Sequence, residues 1–160
     1  MKKVYVETSV ISYLAALPSR DLIKAARQEI SWEWWNSRRN EFALFVSQAV
    51  LREAGRGAPD AAGRRVLLLE GIPVLPATCE AEDLAAAILR DGLLPATAVD
   101  DALHLSLAVV HQMDFLLTWN CRHLANAELL RPLEQWIAHR GLPVPSVCTP
   151  DELLEKPDVS

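Results

Sequence analysis

Short apolar runs alternate with longer segments of helical periodicity along these 160 residues, and few folds accommodate that order. Val4-Tyr5-Val6, bounded by Lys2-Lys3 and Glu7-Thr8-Ser9, reads as a buried strand, as does Phe42-Ala43-Leu44-Phe45-Val46. Phe115 to Trp119 is another. Ile72 to Leu75 is a short one whose Pro73 favours an edge or first position, and Val144 to Val147 is a last. Between them, Thr8 or Ser9 can cap a helix that stops at Pro18, and a second helix runs from Asp21 to near Asn40. Its Leu22, Ile23, Ala26, Ile30 and Trp34 draw an apolar stripe. Ser47 caps a helix through Glu53, Gly55 to Asp60 is a loop, and helix resumes from Ala61 to Glu70. Thr78 to Arg90 and Asn126 to His139 are helical. Thr97-Ala98-Val99-Asp100 has the pattern of a capping box ahead of an apolar helix through Leu103 and Val109. Strands separated by helices imply an α/β sandwich on a mostly parallel central sheet.

At 51% hydrophobic, the chain suits one domain with a sizeable core. Residues 1–150 form the expected domain, and residues 151–160, with Asp151, Glu152, Glu155 and Asp158, an acidic C-terminal tail. Cys79, Cys121 and Cys148 show no C-x-x-C spacing, and no charged-then-apolar leader opens the chain, so a reduced, cytoplasmic protein is expected. No apolar run approaches a membrane span. The net charge of −5 argues against a generic basic nucleic-acid coat. That charge is uneven: 11 Lys/Arg against 7 Asp/Glu in residues 1–65, and 5 against 14 in the remainder.

Glu7 follows the first strand and Asn120 the strand at 115–119; Glu53 and Asp101 lie on helices. In an open parallel sheet, catalytic groups collect at the carboxyl ends of strands. Carboxylates gathered there repel one another unless a cation joins them, which points to a divalent metal. Hard oxygen donors suit Mg²⁺ or Mn²⁺, and no His or Cys spacing suits zinc. Each residue also has a plainer role. Glu7 can be an acid at a helix N-terminus. Glu53 can face solvent between Arg52 and Arg56. Asp100 fits the capping-box position, which leaves Asp101 as the ligand candidate. Asn120 can be a turn residue, Ser9 and Thr118 local hydrogen-bonders, and His104 a satisfied core or surface histidine. Trp32, Trp34 and Trp35 cannot all face one way; one or two belong in the core.

Taken in order, Tyr5-Val6-Glu7-Thr8-Ser9, Glu53, Asp101-Ala102-Leu103-His104 and Leu117-Thr118-Trp119-Asn120 resemble the PIN domain, the ribonuclease fold of VapC-type toxins. The resemblance spans residues 3 to about 147 and implies a PIN-like α/β/α sandwich with metal-dependent cleavage of RNA phosphodiesters. It implies catalytic and metal roles for Glu7, Glu53, Asp101 and Asn120, with Ser9, Thr118 and His104 in support. Two positions depart from the pattern: Glu7 stands where Asp is usual, and Asn120 removes a charge. Low activity is the expected consequence. Arg52 and Arg56, neighbours one turn apart, can contact RNA phosphates or remain solvated. The resemblance further implies the toxin half of a toxin–antitoxin pair, an antitoxin protein as inhibitor and a homodimer. The alternative is a catalytically weakened PIN module that binds RNA or a protein partner.

Overall fold

A computed structural model describes residues 1–159. Its core is a five-stranded, all-parallel sheet in the order β3-β2-β1-β4-β5. The strands are β1 (Lys3–Val6), β2 (Ala43–Ser47), β3 (Val74–Leu75), β4 (Phe115–Leu117) and β5 (Ser146–Cys148). The helices are α1 (Thr8–Ala15), α2 (Leu22–Ser37), α3 (Gln48–Ala54), α4 (Pro59–Leu68), α5 (Cys79–Arg90), α6 (Val99–Val110) and α7 (Ala127–His139). The expected α/β architecture is therefore present. Val4, Tyr5, Val6, Leu116 and Leu117 are fully buried, as central strands covered on both faces require.

From β1 the chain builds outward through β2 and β3, then returns to the other side of β1 with β4 and β5. The order reverses between β1 and β4, and the crevice beyond their carboxyl ends is where such sheets bind ligands. Val6 pairs with Leu117, so the next residues, Glu7 and Thr118, leave the sheet side by side.

Local differences from expectation have local causes. Glu7, rather than Thr8 or Ser9, caps α1: its longer side chain curls back to accept the Ser9 N–H. The Thr97–Asp100 capping box does not form. Ala98 stands at the N-cap without a side-chain bond, and Asp100 and Asp101 share the first turn of α6. Helix α2 buries Trp34 and Trp35, but its first turn is open, with Leu22 87% and Ile23 66% exposed. Strand β5 begins after Pro145, which has no N–H to give a ladder. The tail expected from residue 151 starts as folded chain. Pro150–Leu153 form a 3₁₀ turn closed by Thr149 and Glu152, and Arg38 donates to the Leu154 carbonyl at 3.1 Å. Residues 155–159 are exposed, and Ser160 lies outside the described residues. No described helix is long and apolar enough to cross a membrane.

Candidate metal and active site

Glu7 sits at the switch point, 6% exposed, and its carboxylate is tightly held. Oε1 accepts from the Ser9 and Thr118 hydroxyls, both at 2.5 Å, and Oε2 accepts from the Ser9 N–H at 3.0 Å. These three donors offset the burial of the charge. The Ser9 oxygen in turn accepts from the Trp119 N–H at 2.8 Å, which ties the start of α1 to the end of β4.

Glu53 reaches the same place from α3. One of its oxygens bonds His104 Nε2, and the Thr8 hydroxyl approaches that oxygen at 3.4 Å. His104 is buried on α6, and its other ring nitrogen lies 2.6 Å from the Tyr5 hydroxyl, which is 2.7 Å from Ser47 Oγ. Ser47, Tyr5, His104 and Glu53 thus form one polar chain running from the core into the crevice. Donor atoms of Glu7, Glu53 and His104 lie within 4.8 Å of one another, the one such trio of His, Cys, Asp or Glu among the described residues.

Burial works against a charged His104. The bond to Glu53 and the charges of Glu7, Glu53 and Asp101 outweigh it and raise the imidazole's pKa. For Glu53 burial likewise opposes ionisation, but His104, Thr8 and Arg56 overcome it and lower the pKa. Burial, followed by the Glu7 and Glu53 charges, raises that of Tyr5 against the opposing Ser47 bond. His104 thus bridges Glu53 and Tyr5, and the Tyr5 hydroxyl carries the chain on to Ser47.

Asp101 stands beside this trio in a second grouping. Its Oδ1 accepts from Asn120 Nδ2 at 2.9 Å, and its Oδ2 lies 2.8 Å from His123 Nδ1. The Asn120 side-chain Oδ1 accepts from the His123 backbone N–H at 3.0 Å, closing a ring of three residues. An aspartate at position 120 could not donate to Asp101; the amide can.

Of the residues expected at the site, Glu7, Glu53 and His104 come together, with Ser9 and Thr118 holding Glu7. Asp101 and Asn120 adjoin them but bond each other. Arg52 and Arg56 are exposed at the end of α3 and in the following loop, where Arg65 fixes the carbonyls of Ala54 and Arg56. Tyr5, Ser47 and His123 were not expected. Tyr5 carried a usable signal, since it shares the β1 face with Glu7 by alternation. His123 lies in irregular chain and carried none.

No protein-family profile matches the sequence, nor does any curated protein. Solved structures do. One is VapC20 of Mycobacterium tuberculosis, a sarcin–ricin loop cleaving toxin: 19% identity, 71% of this chain, 86% of that one and a TM-score of 0.54. Another is VapBC2 of Rickettsia felis, bound to a DNA fragment from its promoter: 12% identity, 92% of this chain, 98% of that one and a TM-score of 0.57. The chain has the PIN-domain, VapC-type fold.

Proposed function

We propose that this chain is a divalent-metal-dependent endoribonuclease, the toxin component of a toxin–antitoxin pair. One observation carries the reading: two carboxylates from distant parts of the sequence, Glu7 and Glu53, are brought together at the switch point of the sheet. Two buried or half-buried carboxylates in such proximity offer the oxygen donors that fit a hard cation, with His104 holding Glu53 behind them. Glu7 and Glu53 would hold Mg²⁺ or Mn²⁺, with Asp101 and Asn120 beside them. When bound, the ion supplies Lewis-acid stabilisation of phosphoryl charge and lowers the pKa of water.

The protein's own groups do the positioning. Ser9 and Thr118 fix the Glu7 carboxylate so that it cannot swing toward solvent. His104 orients Glu53, and Tyr5 orients His104. Asn120 and His123 hold Asp101 at the rim, and Arg52 and Arg56 lie open for phosphate contact. The partner supported by the VapBC2 likeness is a protein antitoxin. An apolar groove of about 510 Å³ between α1, α2 and α4, lined by Leu14, Leu17, Trp32, Leu67 and Leu68, suits an amphipathic helix from it. We further assign the enzyme to the cytoplasm, as a homodimer.

A second reading, a non-catalytic module that binds RNA or protein, draws on Asp101, both of whose oxygens are already engaged. The test compares wild type with Asp101→Asn, purified in parallel, on labelled RNA with Mn²⁺, Mg²⁺ or EDTA. Metal-dependent cleavage by wild type alone is expected. Equal behaviour of the two proteins would remove the nuclease reading and favour the binding module.

A further inference from the structure

A polyanion approaching Glu7, Glu53 and Asp101 meets like charge, so the strand needs cationic anchors close by. Arg27 on α2 is placed to be one. Its guanidinium carbon sits 5.2 Å from the centre of the Trp119 ring. Nη1 donates to the Tyr13 hydroxyl at 3.4 Å, and Nη2 to Cys121 Sγ at 3.9 Å. Tyr13 meets Trp119 edge to face, with ring centres 6.1 Å apart. These contacts set the direction of the guanidinium and use only two of its five N–H groups.

Like most Lys and Arg of the chain, Arg27 forms no ion pair among the described residues, although the Asp151 charge acts on it from farther away. What sets it apart is that its contacts fix its direction while leaving N–H groups open to an anion. Its surroundings connect directly to the catalytic crevice. Trp119 lies between Thr118, which binds Glu7, and Asn120, which binds Asp101, and its N–H donates to Ser9. Cys121 follows Asn120 and is exposed.

Lys24 precedes Arg27 by one helical turn and is exposed with no acid partner. It lines a groove of about 380 Å³ between α1 and α2, together with Ser12, Tyr13, Ser19 and Gln28. Tyr13 belongs to both the groove and the Arg27 cluster, so the two are continuous. Ala16 and Leu17 complete the lining, Lys24 is the cation inside the groove, and Arg27 adjoins it through Tyr13, so two cations stand along one path that a phosphate backbone can follow.

We propose that Arg27 and Lys24 form the phosphate-binding subsite for the RNA strand flanking the cleaved bond. This rests on the nuclease reading for its position, but it is tested by binding as well as turnover. Arg27 grips one phosphate through the free edge of its fork, and Lys24 takes the next as a point charge. Neither touches the reacting atoms; both are positioning residues.

The experiment measures binding of fluorescein-labelled single-stranded RNA of mixed sequence to wild type, Arg27→Gln, Arg27→Lys and Lys24→Gln, in EDTA across a salt series. Multiple-turnover cleavage in Mn²⁺ follows with the same proteins. For Arg27→Gln, the slope of log K against log salt should flatten by about 0.7, the value for one single-strand phosphate contact. KM should rise about tenfold with kcat nearly unchanged, because such a contact is made equally in ground and transition states. Arg27→Lys should recover part of the loss. Lys24→Gln, which breaks no contact in the fold, should show the same slope change. RNA binding with no cleavage by any protein would refute the nuclease reading while leaving the subsite to be judged by the salt slopes. Unchanged slopes and KM in both glutamine variants, with wild type binding and cleaving, would overturn the subsite alone. So would retained RNA affinity in variants that lose a protein partner, which would assign the groove to that partner. Absence of RNA binding by wild type would overturn both.

Discussion

Tyr5→Phe isolates the buried polar chain behind the site. The Tyr5 hydroxyl lies 2.7 Å from Ser47 Oγ and 2.6 Å from His104 Nδ1, and all three residues are essentially without solvent. Phenylalanine fills the same volume and leaves the β1 packing intact, so any loss comes from the hydroxyl. Ser47 Oγ still accepts from the Val50 N–H at 3.3 Å, which leaves His104 Nδ1 as the group without a partner. Stranding a buried polar group costs about 1–3 kcal/mol, more when it is charged, and the lost bond to Ser47 adds about 1 kcal/mol. The sum is about 2–4 kcal/mol, or roughly 10 °C in Tm for a domain of this size. Urea and thermal unfolding in EDTA read it directly. The double variant Tyr5→Phe with His104→Gln should lose less than the sum of the two single variants, because they break one network. A Tyr5→Phe protein as stable as wild type, or more so, would show that Tyr5 acts only as core volume and that the relay from Ser47 to Glu53 does not exist.

Three further outcomes follow from the same geometry. Thr118→Val removes a donor to Glu7 and the acceptor of the Asn120 N–H, so it should lose about 1–3 kcal/mol in chemical unfolding and weaken Mn²⁺ binding in calorimetry. His123→Ala frees Asp101 Oδ2, so Mn²⁺ should bind more tightly; unchanged or weaker binding would separate Asp101 from the metal site. In metal-free protein, the His104–Glu53 pair sets a pH window. His104, with its folded pKa raised, stabilises fully below its unfolded value near about 6.5 and loses that contribution as pH rises through the folded one. Glu53, with its folded pKa lowered, stabilises above its unfolded value near about 4.3 and loses that contribution as pH falls through the folded one. Wild type should therefore exceed the Glu53→Gln, His104→Gln double variant most in thermal midpoint between those unfolded values, with the gap narrowing toward alkaline and strongly acidic pH. A gap constant with pH would contradict the pairing.

The parallel sheet was readable because β1, β2 and β4 are short apolar runs cut off by polar residues, and the helices between them carry their own stop signals. Glu7 was readable for the same reason: the end of a strand is marked in sequence, and the crevice lies beyond strand ends. Its capping of α1 was not. Thr8 and Ser9 are the better cap types by composition, and only the three-dimensional reach of the longer Glu7 side chain decides against them. The capping-box pattern at Thr97–Asp100 misled in a similar way. Backbone geometry places Ala98 at the helix start, and Asp101 is distinguished by Asn120 and His123, which lie beyond the next strand. Long-range pairs of that kind leave no periodic trace. The same holds for Arg27, which reads as an ordinary helix-surface charge until Trp119 is brought beneath it.

The central claim is that the Glu7–Glu53 pair is a metal site and that RNA cleavage depends on it. Titrating Mn²⁺ into wild type and Glu7→Gln, with bound metal followed by electron paramagnetic resonance and RNA product sampled from the same tubes, tests both parts at once. In wild type, bound Mn²⁺ and cleavage should rise together and saturate together. In Glu7→Gln, both should fall away while the far-ultraviolet spectrum stays that of the folded protein. Cleavage that persists in Glu7→Gln, or tight Mn²⁺ binding that it leaves untouched, would contradict the claim.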